Sequence, residues 1–197
     1  MNIYFIIIIT ILLFEFTLSF IVRTLNLSAL DPNLPKEFED TFDKKKYVKS
    51  QDYTRANSRF SYITSTFSLI ISLIFIFGGV YNIIDQYVRS IGYGDIVTGL
   101  FFFGLLSIIS DILNLPFGLY RTFIIEEKFG FNKTTISTFF MDKLKGYFLL
   151  IIIGAPVLSL VLHFFSQYEY AWIYAWILLV VFSLIMQPIF NLFIPIK

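Results

Sequence analysis

Five long apolar segments constrain this chain more than any other feature of its sequence. The hydrocarbon core of a bilayer is roughly 30 Å thick, so a helix rising about 1.5 Å per residue crosses it with about 20 apolar residues. The segments that meet this length are approximately Ile3–Val22, Tyr62–Ile84, Ile96–Tyr120, Tyr147–Phe165 and Ala171–Phe193. They predict an all-α, polytopic membrane protein, with about five transmembrane helices in a single membrane domain over residues 1–197.

Composition supports this interpretation and removes several functional classes. Hydrophobic residues make up 57% of the chain and charged residues 15%, so the lipid bilayer is an expected partner. The net charge is only +1, and we expect no nucleic-acid partner. Cysteine is absent and His163 is the single histidine. Because a zincin helix needs two histidines on one face, we expect no metal and no cofactor bound by this chain.

The distribution of positive charge predicts the topology. Of the 15 Lys and Arg residues, only Arg89 falls in the second loop and none falls in the fourth. The others lie almost entirely in loops of approximately 23–61 and 121–146, which the positive-inside rule assigns to the cytoplasm. We therefore expect an extracytoplasmic N-terminus and a cytoplasmic C-terminus, with a retained first helix. The expected location is a bacterial inner membrane.

Both charged loops have helical sequence patterns. In the first loop, Lys36–Asn57 is rich in helix formers and contains an Asp40/Lys44 pair at i,i+4 spacing. In the third loop, the apolar residues between Ile136 and Phe148 fall on one stripe, which predicts an interfacial helix running into the fourth span. Asn132 or Thr134 is the expected N-cap of that helix. The fold prediction thus includes cytoplasmic loop helices.

Three polar side chains inside the apolar segments are candidates for lining an internal cavity. A carboxylate at the bilayer centre costs roughly 2.5–3.5 kcal/mol on insertion scales, so Glu15 and Asp111 should each face a partner or water. Asn114 lies one turn after Asp111 on the same helical face. Two interpretations stay open for these residues, a water-filled interior or a structural hydrogen bond to a neighbouring helix.

The densest polar cluster surrounds Gly130 in the third loop. It contains Glu126, Glu127 and Asn132, and Asp142 and Lys145 follow. Adjacent glutamates point about 100° apart on a helix, so Glu126 and Glu127 cannot act as a paired acid and base by geometry alone. A surface stabilised by ion pairs is the simplest interpretation of the cluster.

The order of residues in and before the third loop is more informative than the composition of this region. The run from Leu115 to Thr135, which includes Glu126-Glu127-Lys128-Phe129-Gly130-Phe131-Asn132-Lys133, resembles the membrane N-terminal domain of the type I CAAX prenyl protease family. These are integral membrane zinc metalloproteases. Leu34-Pro35-Lys36-Glu37 and Tyr47–Tyr53, with Phe60 opening the second span, resemble the first cytoplasmic loop of the family. Asp142 and Lys145 also fall where the family usually has an Asp and a Lys.

The resemblance implies a role without chemistry for this chain. Family members have seven helices around a water-filled chamber, with zinc held by an H-E-x-x-H helix and a downstream Glu, and this sequence contains neither. We therefore expect the membrane-embedded N-terminal half of a zinc metalloendopeptidase, not active by itself. Its catalytic domain, with the zinc, is expected in a missing part in cis or in a separate chain, and the complete enzyme would take a peptide substrate.

The resemblance also implies roles for the candidate residues. Asp111, Asn114 and Glu15 are expected to line the chamber, and the third-loop cluster is expected to dock the catalytic domain. The residues of that docking surface are Glu126, Glu127, Asn132, Asp142 and Lys145. An alternative is a free-standing membrane scaffold, or a lipid- or peptide-binding protein, that has lost the protease domain. A small transporter is disfavoured because no internal repeat is evident.

Overall fold

A computed structural model describes residues 2–35, 37 and 43–193, with side chains up to Pro188. It is all-helical over these ranges, which confirms the predicted fold class. The helices are α1 (Ile3–Ser28), α2 (Lys44–Phe77), α3 (Val80–Ser90), α4 (Asp95–Tyr120), α5 (Ile136–Leu149), α6 (Ala155–Gln167) and α7 (Ala171–Phe193). Two π-helical segments, Arg121–Glu126 and Leu150–Gly154, extend α4 and join α5 to α6. Five of the resulting helices are long and apolar enough to cross a membrane.

Side-chain caps fix the starts of α1, α2 and α5. The side chain of Asn2 accepts a hydrogen bond from the backbone N–H of Tyr4, and Asp43 caps α2 by accepting from two lysine N–H groups. Thr135 caps α5, since its hydroxyl accepts from the N–H of Thr138. Such caps satisfy donors that a helix cannot pair internally. The expected N-caps of α5, Asn132 and Thr134, are therefore wrong.

The first loop and the second span form one helix. α2 runs from Lys44 without interruption to Phe77, so the polar helix expected in Lys36–Asn57 continues directly into the span. Lys36 and the Asp40 of the expected ion pair lie outside the described residues. Helix α2 ends where Gly78 donates to the carbonyl of Ile74 and Gly79 adopts a φ of 67°. The second span thus ends at Phe77, not at Ile84 as expected.

Ile84 belongs instead to α3, a short amphipathic helix. Ile84 and Val88, one turn apart, are buried, whereas Tyr87 on another face is exposed. Arg89 donates to the carboxylate of Asp85 at 2.8 Å, and this bond raises the pKa of the Arg89 guanidinium. With apolar residues on one face and an exposed ion pair on the other, α3 has the character of an interfacial helix.

The fourth span is one continuous helical path from α5 through α6. Pro156, just after the π-helical segment Leu150–Gly154, has no N–H to donate and its ring would clash with the carbonyl of Ile152. The wider π turn accommodates this residue without breaking the helix. The interfacial stripe expected between Ile136 and Phe148 is therefore the first part of a helix that reaches Gln167.

The chain divides into two compact units. The first comprises Met1–Ile83 and Ser110–Thr134. Within it, α1 and α2 pack antiparallel: Phe5 contacts Phe77 at one end, with ring centroids 5.3 Å apart, and Thr24 hydrogen-bonds to the Tyr62 hydroxyl near the other. Arg23 also donates to the Ser65 hydroxyl at 3.1 Å. The last turns of α1 are thereby joined to the middle of α2.

The second unit comprises Ile84–Ile109 and Thr135–Lys197. Its α6 and α7 form a helical hairpin in which Phe164, Tyr168 and Tyr174 make an aromatic cluster, with Tyr168 and Tyr174 ring centroids 5.1 Å apart. The beginning of α4 packs against α6, and a Cβ on Gly99 would lie 2.7 Å from Leu162. A glycine at this position therefore permits close helix packing.

The turn between α2 and α3 yields a testable prediction. A Cβ added at Gly79 or at Gly146 would have no atom within 4 Å, so both positions have room for a methyl group. The two positions differ in backbone conformation, because only Gly79 has a positive φ. Gly79→Ala should destabilise the protein by about 1–2 kcal/mol because an L-residue is strained at its φ. Gly146→Ala, in the interior of α5, should be neutral or stabilising by up to about 1 kcal/mol. Thermal unfolding in detergent measures both, and equal midpoints would contradict the assigned turn.

Candidate functional site

The two stretches that carry the family resemblance meet inside the first unit. Tyr53, on the polar first part of α2, lies between Phe129 and Phe131 of the third loop, with centroid distances of 5.4 and 4.8 Å and both pairs T-shaped. The Lys49 ammonium lies 5.5 Å from the Phe131 ring centroid, in cation–π geometry. An aromatic clasp of Tyr53, Phe129 and Phe131 thus joins the first loop to the third.

Backbone hydrogen bonds fold the third loop so that both phenylalanines reach Tyr53. Gly130 has a φ of 69° and donates to the carbonyl of Glu127, while Phe131 donates to the carbonyl of Glu126. A left-handed glycine with this pair of bonds is a common way to end a helix. Asn132 closes the turn: its amide donates to the Glu127 carboxylate at 2.9 Å, and its carbonyl oxygen accepts from the N–H of Thr134 at 2.7 Å.

Aromatic contacts continue from the clasp along the spans. Phe60 stacks on Tyr120 with centroids 5.0 Å apart, and Phe117 lies between Phe60 and Phe67 at 6.2 and 4.8 Å. These residues alternate between α2 and the end of α4. The third loop is therefore held in place by the same helix pair that enters the membrane next to it.

A groove of about 570 Å³ lies beside the clasp, between α2 and the π-helical segment. Two cationic side chains, Arg59 and Lys128, line it together with apolar residues. The remaining lining residues are Ala56, Phe60, Ile63, Tyr120, Ile124, Ile125 and Phe129. Ile125 and Phe129 form its buried floor, whereas Ile63 and Ile124 are exposed. The groove can hold an elongated apolar group with an anionic end.

The predicted docking residues are placed in two separate environments. Glu126 is half-buried, with its carboxylate 3.9 Å from the Arg121 guanidinium, and Glu127 is exposed and hydrogen-bonded to Asn132. Asp142 and Lys145 belong to the other unit, where they form an exposed ion pair at 3.1 Å on α5. Asn132 shapes the turn through its own hydrogen bonds. A loss of docking in an Asn132 variant could therefore come from a disturbed turn and not from a lost docking contact.

The three predicted chamber-lining residues do not line one common cavity. Glu15 lines a cavity of about 340 Å³ between α1 and α2, whose polar lining otherwise consists of Arg23 and hydroxyl groups. The serines are Ser19, Ser65, Ser68 and Ser72. Asp111 and Asn114 do not line this cavity; Asp111 is half-buried, and the Asn114 amide donates to the Ser110 carbonyl at 2.8 Å. A chamber-lining role stays a prediction for all three.

Metal-ligating side chains do not cluster in the described part of the chain. Among residues 2–35, 37 and 43–193, no three His, Cys, Asp or Glu side chains come close enough to hold a metal ion. His163 packs beside Phe164 and Tyr168 at ring-centroid distances of 6.4 and 6.3 Å. These residues do not fit zinc, and we derive no catalytic step from them.

Sequence reasoning missed the clasp and the groove. Tyr53, Phe129 and Phe131 were present in the two informative stretches, but nothing in their spacing links residues so far apart in the chain. The available signal was the pair of phenylalanines on either side of Gly130, since a left-handed glycine brings its neighbours to one side of a turn. For Arg59, the signal was its position as the last charge before the uncharged part of α2.

The fold and the clasp between the first and third loops define a class of protein. This class is the polytopic all-helical membrane proteins whose charged loops pack together at the end of a helix pair. Residues 23–195 match the family described as CAAX prenyl protease N-terminal, five membrane helices. The chain belongs to that family.

Individual relatives agree with this assignment. The chain is 34% identical to the CAAX prenyl protease 1 homolog of Dictyostelium discoideum over 98% of its own length and 49% of the relative's. It is 31% identical to CAAX prenyl protease 1 of Saccharomyces cerevisiae, covering 85% and 41% of the two chains. The crystal structure of S. mikatae Ste24p is similar with a TM-score of 0.85 and 28% identity, over 98% of this chain and 47% of that one. The chain thus spans about half the length of these relatives.

The clasp predicts a measurable contribution to stability. Tyr53→Leu keeps apolar bulk but removes two ring–ring contacts, each worth about 0.5–1.5 kcal/mol, so it should destabilise the first unit by about 1–3 kcal/mol. Proteolysis near Gly130 should also become faster because the loop loses its anchor. Tyr87→Leu is the matched control, since the Tyr87 side chain is 64% exposed. If both variants unfold at the wild-type temperature, the clasp does not hold the loop.

Proposed function

We propose that this chain supplies the membrane-embedded half of a CAAX-type zinc metalloendopeptidase. The observation that carries the proposal is the match of residues 23–195 to the N-terminal family, together with similarity to Ste24p over about half of that chain. The relatives in this family are called prenyl proteases. The described residues offer no metal-ligand cluster, so the catalytic groups of a complete enzyme would lie elsewhere.

The contribution of this half is positioning. In a zinc endopeptidase the metal lowers the pKa of a bound water and polarises the scissile carbonyl, and its ligands would come from the catalytic part. Holding a peptide in register with that centre lowers the entropic part of the barrier. Helical walls and a fixed loop are suited to this task, and the clasp supplies the fixed loop.

We propose that polar residues of the spans form part of the wall of the chamber. The cavity at Glu15 has a carboxylate and four serine hydroxyls inside the apolar part of α1 and α2. Carboxylates are costly in hydrocarbon, and a wet chamber removes that cost. Asp111 and Asn114 would serve the same purpose from α4.

We propose that the catalytic part docks on the acidic edge of the third loop, formed by Glu126 and Glu127. Glu127 is exposed, and Glu126 keeps about a third of its side chain exposed despite its contact with Arg121. The backbone carbonyls of both glutamates accept hydrogen bonds within the turn that the clasp holds, and the Glu127 carboxylate also accepts from the Asn132 amide. A rigid acidic edge provides a defined surface for a cationic patch on the catalytic part. Asp142 and Lys145, in the other unit, are proposed as docking residues in their own right.

Assembly with a catalytic half tests the proposal. We would co-express this chain with the C-terminal half of the Dictyostelium relative and measure co-purification and zinc-dependent cleavage of a peptide. We expect both, and we expect Glu126→Gln and Glu127→Gln each to weaken association about two- to fivefold, the range for exposed charge pairs. Glu169→Gln is the control, because Glu169 is exposed, as Glu127 is, but lies in the fourth loop.

Asn132→Ala is not a useful docking variant, because it would disturb the turn itself.

Absence of both co-purification and cleavage with the wild-type chain would contradict the proposal and favour the free-standing scaffold. Association with no response to either glutamate would leave the enzyme half intact but remove the acidic edge as its docking surface. Sequencing the transcript beyond the Lys197 codon for H-E-x-x-H gives an independent answer.

The orientation in the membrane is part of the proposal. The chain is an integral multi-pass membrane protein, and the charge asymmetry of its loops favours an extracytoplasmic N-terminus and a cytoplasmic C-terminus. The clasp supports placing the first and third loops on one side, because Tyr53 and Phe131 are in contact. The reported relatives come from eukaryotes, which argues against the bacterial inner membrane expected from the sequence.

Single cysteines test this orientation directly, because the chain contains no native cysteine. Lys133→Cys and Glu169→Cys place thiols in the third and fourth loops, at exposed positions. In sealed vesicles with the cytoplasmic face outward, a membrane-impermeant maleimide should label Lys133→Cys at once and Glu169→Cys only after permeabilisation. The reverse pattern would invert the topology, and labelling of both from one side would contradict an odd number of spans between them.

A further inference from the structure

The cationic groove beside the clasp is not used by the proposed docking surface. Its lining residues come from α2 and from the end of α4 with its π-helical extension, and none of them is acidic. Neither Arg59 nor Lys128 has an acidic side chain within salt-bridge distance among the described residues. Two nearby cations of the same helices differ in this respect, since Arg55 contacts Asp52 and Arg121 contacts Glu126. The groove thus has two positive charges without a compensating anion.

The groove lies at the level of a membrane boundary. No charged residue follows Arg59 along α2 up to the helix end at Phe77, and Tyr120 is the last residue of α4 before Arg121. Tyrosine and arginine at the end of an apolar span are typical of the headgroup region. The cations of the groove therefore sit where lipid phosphates lie.

The apolar part of the groove extends toward the hydrocarbon. Ile63 is 61% exposed and lies one turn after Arg59, on the side of the uncharged part of α2. Ile124, 53% exposed, lies one turn before Lys128 on the π-helical segment. Exposed isoleucines beside unpaired cations suit an amphiphile with an anionic head and a hydrocarbon tail. A soluble anion would leave both isoleucines uncovered.

We infer that this groove, defined by Arg59 and Lys128 above Ile63 and Ile124, binds an anionic phospholipid of the surrounding leaflet. The phosphate lies between the two cations and one acyl chain runs over the isoleucines. Basic pockets between membrane helices recognise anionic headgroups by this combination of charge and apolar contact. The lipid would brace α2 against the π-helical segment and so support the third loop from the side opposite the solvent.

Native mass spectrometry of the full chain, released from detergent, tests the inference. The probes are phosphatidylserine and phosphatidylcholine with identical acyl chains, added at equal concentration. We expect selective retention of phosphatidylserine, weakened about fivefold by Arg59→Gln and about fivefold by Lys128→Gln, which corresponds to about 1 kcal/mol per cation at a membrane surface. Lys128→Arg, which keeps the charge, should retain the lipid. Arg55→Gln is the matched control on the same helix, because its charge is already paired with Asp52.

Further measurements distinguish the possible occupants. Ile124→Ser should lower retention of long-chain phosphatidylserine and leave a soluble short-chain analogue less affected. Equal retention of the two headgroups, or an equal loss in Arg55→Gln, would overturn the inference as non-specific adsorption. Complete displacement by inorganic phosphate would reduce the groove to a simple anion site and overturn it too. Thiol labelling at Ile124→Cys that is blocked only by an added catalytic half, and not by phosphatidylserine, would assign the groove to a polypeptide instead.

Discussion

The absence of water in the bilayer core is the constraint on which this structure depends. Every backbone N–H and C=O within the hydrocarbon must find its partner in the same segment, and an α-helix satisfies that requirement. Hydroxyls on the spans follow the same rule: Thr17, Ser65 and Ser183 each donate to the carbonyl four residues earlier, at 2.7–2.8 Å. Irregular backbone is consequently confined to the ends of spans, where the turn at Gly79 and the loop around Gly130 provide it.

This confinement decides where a specific surface can be built. The spans expose apolar side chains over most of their length, and such surfaces differ little from one another. The loops leave the bilayer at Arg59 and Tyr120, and there the side chains change to a mixture of rings, amides and charges. Tyr53, Phe129 and Phe131 supply the packing that fixes the third loop, since exposed ion pairs such as Asp142 with Lys145 contribute at most about 1 kcal/mol each.

Much of the fold was predictable because span length is a strong signal and five apolar segments have few alternatives in lipid. The errors occur where a choice depends on distant or local partners. Ile84 was assigned to a span because it follows an apolar run, yet the two glycines before α3 end the helix first. Asn132 was expected as an N-cap, but its side chain is used by Glu127 and Thr134, which leaves Thr135 as the cap. The clasp depends on contacts between residues more than seventy positions apart, which no local pattern encodes.

The two proposed surfaces of the third loop are compatible because their charges are segregated. Glu126 and Glu127 carry the acidic edge, while Lys128, the next residue, faces the groove with Arg59. Successive residues on a helical turn point about 100° apart, so one short segment can present an acidic face and a basic face without neutralising either. Asn132 holds Glu127 by a hydrogen bond, which fixes its carboxylate in the turn. A catalytic domain with a cationic patch would be attracted to the acidic edge and repelled by an empty groove, and an anionic lipid in the groove would remove that repulsion. Lipid binding would therefore strengthen docking without contact between the two ligands.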